Sequence, residues 1–200
     1  MSEDGNNYPV HLLSRQAVSE GRKSILILAA PGTKPFRATE MVLESARQLL
    51  AGKSVFGDAH VDLLPLVAPG RGINRSVPDR ARNRMLHRVL ERRKYDLVIV
   101  HRVDPDQVGF VIAQKGNLAD EAMFAQSRVR DHGYFVGSGD EQLVKKIFRR
   151  NGLPDFLTGP GRGAVMVLSS WQGEEQEKAV HQHLLAQETI IGLLLNSFYQ

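Results

Sequence analysis

Cysteine is missing from all 200 residues of this chain. That absence excludes disulfides, thiolate zinc sites, iron–sulfur clusters and a cysteine nucleophile. Aromatic residues are sparse at 6%, with one tryptophan, so a nucleic-acid surface built on stacked rings has little to draw on. No apolar run approaches the roughly 20 residues of a membrane-spanning helix, and residues 1–23 are polar, without an apolar segment of signal-peptide type. No H-E-x-x-H or comparable ligand spacing occurs. The expectation is a cytoplasmic protein without membrane association, metal or cofactor.

What is present is ordinary globular composition, 42% apolar and 24% charged, with a net charge of +4. Residues 1–23 are expected to form an arm, with a short helical turn around 12–18, and residues 24–200 a single domain. Apolar, β-branched runs at 24–30, 60–67 and 95–100 predict buried strands, with shorter candidates at 110–113, 155–158 and 164–168. Helical spacing of apolar residues marks 39–50, 78–94 and 139–151, and a Leu- and Ile-rich helix from 174 onward closes the chain. Residues 104–133 carry the weakest pattern. Alternating strands and helices imply an α/β fold with a mostly parallel, mixed sheet.

In open α/β sheets, ligands sit beyond the carboxyl ends of strands. That points to the turn after the first strand, with Gly32 and Pro35, although the P-loop spacing is absent. The Gly-rich turn at 159–163 offers Gly161 and Gly163 as a second anion cradle. Residues 71–94 hold eight Arg and one Lys against Asp79 and Glu91, a local +7 in a chain of +4. Arg80, Arg84, Arg88 and Arg92 recur every four residues and form a stripe able to neutralise phosphates of a nucleic acid. The alternative is a solvated helix face. His181 and His183, two apart, face different ways on a helix, so they do not form a helical metal pair. With Ser169 or Ser170 as nucleophile and Glu174 as orienter, either histidine could serve a hydrolase as base. Apolar residues cover more than one face of the last helix, which implies either deep packing or a homo-oligomer through that helix.

Several stretches in order resemble the pyroglutamyl peptidase I family of cysteine peptidases. They are ILILAAPGTKPF at 25–36, LLPLV at 63–67, YDLVIV at 95–100, NLAD at 117–120, HGYF at 132–135, and GLP at 152–154 before the Gly-rich turn. The resemblance implies a three-layer α/β/α sandwich and a pocket that keeps Pro35 and Phe36. The family's cysteine falls on Met166 or Val167, its glutamate near Ile112, and its histidine loosely on His181 or His183. Thioethers and alkyl groups cannot attack a carbonyl. The resemblance therefore implies a scaffold without peptidase chemistry, binding a small molecule or a peptide terminus beside Phe36 and Met166.

Overall fold

The apolar runs become the middle of one sheet, and the periodic segments cover its two faces. The computed structural model describes residues 13–17, 22–30, 35–52, 54–65, 94–150, 153 and 163–196. The strands are β1 (Leu13–Arg15), β2 (Ser24–Ala29), β3 (His60–Leu64), β4 (Leu97–Asp104), β5 (Phe110–Lys115), β6 (Val136–Gly139) and β7 (Ala164–Trp171). The helices are α1 (Pro35–Leu50), α2 (Ala119–Asp131), α3 (Glu141–Arg150) and α4 (Gln176–Asn196), with a 3-10 turn at Ser54–Phe56.

The sheet has seven strands in the order β1-β3-β2-β4-β7-β5-β6. β3, β2, β4 and β7 run parallel, whereas β1 and the β5–β6 pair oppose them. This is a mixed α/β sheet. Buried on both sides, β2 and the first four residues of β4, Leu97–Val100, read as continuous hydrophobic runs rather than as alternating ones.

Alternation along the strands sorts the core into two layers. Ile25, Ile27, Leu97, Ile99, Met166 and Leu168 pack under α1, α2 and α4. Leu26, Leu28, Val98, Val100, Val165 and Val167 pack on the other face with Val144, Ile147 and Phe148 of α3. Each such side chain, removed from water, contributes about 1.5–3 kcal/mol. α4 buries Leu185, Ala186, Ile190, Ile191 and Leu194 within this core. Deep packing thus accounts for these apolar residues of the helix.

The expected helical turn around residues 12–18 is instead a strand where it is described. β1 pairs antiparallel with β3, and its contacts are distant in sequence. The Ser14 hydroxyl donates to buried Asp62, which also accepts from Tyr95, and the Arg15 guanidinium donates to the carbonyl of Gly57. Two elements had no clear signal. α2 buries only Ala122, Ala125 and Val129, small side chains that draw a faint helical period. β6 is a four-residue edge strand containing two glycines. The predicted helix at 78–94 and strand at 155–158 lie outside the described residues.

Candidate functional site at the carboxyl end of the sheet

β4 and β7 extend further toward their carboxyl ends than the sequence pattern indicated, and the added residues are polar. β4 runs through His101, Arg102 and Asp104, and β7 through Ser169, Ser170 and Trp171. The register places Arg102 beside Ser169 and Asp104 beside Trp171. By alternation these four side chains share the α3 face of the sheet, while His101 and Ser170 lie on the α4 face.

On the α3 face, the Arg102 guanidinium meets the Asp104 carboxylate at 2.6 Å, both nearly buried. The other Asp104 oxygen accepts the Asp106 backbone N–H at 3.0 Å and closes the following turn. Gln107 donates its amide to the carbonyls of Ser169 and Gly109, tying that turn to β7. On α1, Arg37 donates to the carbonyls of Gln172 and Glu174 and holds the loop after β7. Between these anchors, the Ser169 hydroxyl is buried and has no hydrogen-bond partner among the described residues. An unpaired buried hydroxyl costs about 1–3 kcal/mol.

Two aromatic rings near the carboxyl end of β7 are exposed. Trp171 is 45% exposed and Phe135 74%. A Cβ on Gly173 would lie 2.5–2.8 Å from the Trp171 ring, and one on Gly109 would lie 2.9 Å from Phe135. Both rings rest on positions without a side chain. Gly109 also has φ +74°, a conformation that L side chains rarely adopt.

On the α4 face, a chain of polar groups runs beneath the helix, with His183 Nε2 and Gln187 Nε2 left without partners among the described residues. The Nδ1 atoms of His101 and His183 are 2.9 Å apart, and His101 Nε2 is 2.8 Å from Gln187 Oε1. Ser45 joins Gln187 at 3.0 Å and the Met41 carbonyl at 2.9 Å. Two nitrogens at this distance hold one proton between them, whichever way the Gln187 amide turns. Burial lowers the His101 pKa to about 4, the bond to Gln187 opposing it. Burial, and then the neighbouring His101, push His183 well below the usual histidine range. Both rings are neutral near pH 7.

The structure separates several residues that the sequence grouped. Pro35 opens α1 beyond the carboxyl end of β2, with Phe36 in the same first turn, whereas Gly163 precedes β7 at the amino end of the sheet. Parallel strands put those positions on opposite edges. Gly163 is there for backbone packing, since a Cβ would lie 2.2 Å from the carbonyl oxygens of Tyr95 and Asp96. Met166 is fully buried in mid-strand. A pocket shared by Pro35, Phe36, Gly163 and Met166 is therefore not formed. Gly32, Gly161, Arg80, Arg84, Arg88 and Arg92 lie outside the described residues.

The serine-hydrolase arrangement is not assembled either. Among the described residues, neither Ser169 nor Ser170 has a partner for its hydroxyl. His183 is turned to His101, exposed His181 is bonded to the Tyr134 hydroxyl, and Glu174 is paired with Lys178. The first signal that sequence reasoning missed was the polar run that ends β4. It was legible as His101, Arg102 and Asp104 directly after an apolar strand.

No protein-family model and no curated protein matches this sequence. Solved structures do share its fold. Csd4 of Helicobacter pylori with a bound tripeptide superposes at TM-score 0.65 with 13% identity, over 94% of this chain and 56% of that one. A candidate metallopeptidase from Shewanella denitrificans gives 0.66 with 14% identity, over 98% and 82%. A metallo-carboxypeptidase from Burkholderia cenocepacia gives 0.53 with 13% identity, over 94% and 61%. The chain thus shares its α/β fold with these structures and spans little more than half the length of Csd4. The resemblance to pyroglutamyl peptidase is overturned. Its short motifs are strand ends, turns and glycines that any β-α unit carries, so their order did not identify the fold.

Two of these structures are named as metallopeptidases, and the described residues at the carboxyl end of this sheet do not fit a metal. None of their His, Asp and Glu side chains form a group of three placed to hold an ion. At the carboxyl end, Asp104 is taken by Arg102, and His101 faces the opposite layer with both ring nitrogens engaged. No described helix is long and apolar enough to cross a membrane.

Proposed function

We propose that this chain is a peptide-binding domain on a metallo-carboxypeptidase-like scaffold, taking its ligand at the carboxyl end of β4 and β7 without hydrolysing it. The observation that carries this reading is the exposed Trp171 ring at the end of β7, on the face that holds the Arg102–Asp104 pair. Trp171 and Phe135 offer apolar surface to a peptide side chain. The tripeptide held by Csd4 supports the ligand class. The engagement of Asp104 by Arg102, and of both His101 nitrogens by His183 and Gln187, supports binding without cleavage at this end of the sheet.

Trp171 is the only tryptophan, so its fluorescence reports on this end of the sheet directly. Titration of the full chain with the tripeptides Ala-Ala-Ala and Ala-Phe-Ala is expected to give a saturable change in emission. EDTA leaves that change unaltered, and mass spectrometry recovers the peptide intact. Gly173→Ala, which pushes the ring off its seat, weakens the response. A flat titration with both peptides overturns the binding, and metal-dependent release of a terminal amino acid overturns the lack of hydrolysis.

A further inference from the structure

A second pair of histidines lies on the α4 side of the sheet, on α4 and at the end of α2. His132 caps the C-terminal end of α2, and His181 projects from α4, both exposed. Their ring centroids are 5.7 Å apart with planes at 75°. The Nδ1–H of His132 donates to the Arg128 carbonyl at 2.9 Å. A carbonyl only accepts, so the proton sits on Nδ1 and the lone pair of His132 on Nε2. His181 Nδ1 lies 2.8 Å from the Tyr134 hydroxyl, which leaves its Nε2 on the solvent side of that bond. A depression of about 410 Å³ lined by Tyr134, Glu175, Glu177, Lys178 and His181 opens beside them. The Lys178 ammonium there is held by Glu174 at 2.6 Å.

We infer that His132 and His181 form a two-imidazole site for a borderline divalent transition ion, for which Zn²⁺ is the reference. Histidines that bind metals commonly fix their second nitrogen on a carbonyl or another oxygen, and both rings here do so. An ion held at the usual 2.0–2.1 Å lies about 3 Å from each ring centre, so two rings on one tetrahedral ion stand about 5–6 Å apart. The observed 5.7 Å falls in that range. Among the described residues no third His, Asp or Glu completes a group of ligands, so water fills the remaining positions. Glu175 and Glu177 add negative potential at the mouth without coordinating. Imidazole donors favour zinc, nickel and copper over magnesium. A bound ion would clamp the end of α2 to α4.

The test is calorimetric titration of chelator-treated full-length protein with ZnCl₂, with MgCl₂ as control, alongside nitrogen-15 NMR of the histidine rings. One saturable zinc site is expected, with the largest shifts at Nε2 of His132 and His181, and no binding of magnesium. His132→Ala or His181→Ala abolishes binding, while the far-UV circular dichroism stays that of the parent. Tyr134→Phe, which removes only the hydroxyl that orients His181, weakens zinc about 10-fold or more. Absence of saturable zinc binding overturns the proposal. Unchanged zinc affinity in both alanine variants also overturns it, because the ion would then sit elsewhere.

Discussion

The molecule contains two histidine pairs that differ in almost everything except residue type. His101 and His183 are completely buried and face each other nitrogen to nitrogen at 2.9 Å, with Gln187 and Ser45 extending the chain. His132 and His181 are exposed, stand 5.7 Å apart, and each spends only Nδ1 on the protein. Burial decides the first pair's role. In a dry layer between sheet and helix, neutral imidazole is the favoured form, and the pair acts as a fixed polar joint between β4 and α4. Exposure leaves the second pair with nitrogens to offer. His181 and His183 sit two residues apart on one helix, so a step of about 200° around its axis separates a structural role from a ligand-binding one.

The sharpest way to break the comparison is to truncate one member of the buried pair. His101→Ala removes a ring from the core, strands His183 Nδ1 without a partner and leaves Gln187 Oε1 with Ser45 alone. It is expected to cost about 3–4 kcal/mol, read as a lower midpoint of urea unfolding. His183→Ala has a similar cost. Because each variant already breaks the shared bond, the double variant costs less than the two single effects combined. Simple additivity would mean that the rings do not share a proton.

Acid is the next largest effect, and its direction follows from the lowered pKa values. Unfolded histidine takes up a proton near pH 6.5, whereas folded His101 resists until about pH 4. Between those values the unfolded state binds more protons, so stability falls as pH falls. His101 alone accounts for a loss of about 3 kcal/mol across that window, and His183, lowered in the same direction, adds to it. Unfolding midpoints measured from pH 7 to pH 4 check this. The same series on His101→Ala should show a shallower slope, and an identical slope would place the acid sensitivity elsewhere.

The two pairs also mark how far the sequence could be followed. The central strand β2 and residues Leu97–Val100 of β4 were plain, because strands buried on both faces are apolar without interruption. The ends of β4 and β7 were not, because Arg102, Asp104, Ser169 and Ser170 continue the ladder while breaking the apolar pattern. Backbone pairing, which a sequence does not display, holds them in the sheet. The histidine partners His101 and His183 come from elements 82 residues apart, joined by a packing that local periodicity cannot see. His181 and His183 were singled out correctly as facing different ways, but neither the neutral buried pair nor the Tyr134–His181 bond has a local signature. The glycines misled in a specific way. Gly163 serves backbone approach, whereas Gly109 and Gly173, which seat aromatic rings, stand in no recognisable motif.

The exposed pair should give the smallest effect on stability, and that smallness is itself informative. His132 and His181 bury little, and each makes a hydrogen bond that water can replace. Without metal, His132→Ala and His181→Ala should shift stability by no more than about 0.5 kcal/mol. With zinc present at 100 times its dissociation constant, a native-state ion adds about 2.7 kcal/mol to the parent protein and nothing to the variants. The same substitution is therefore almost silent in chelator and costly in zinc, and urea midpoints in the two media read the difference. In the buried pair, the penalty of His101→Ala stays the same in both media. A zinc-dependent penalty at His101, or a large penalty at His181 in chelator, would erase the distinction between a structural joint and a ligand site.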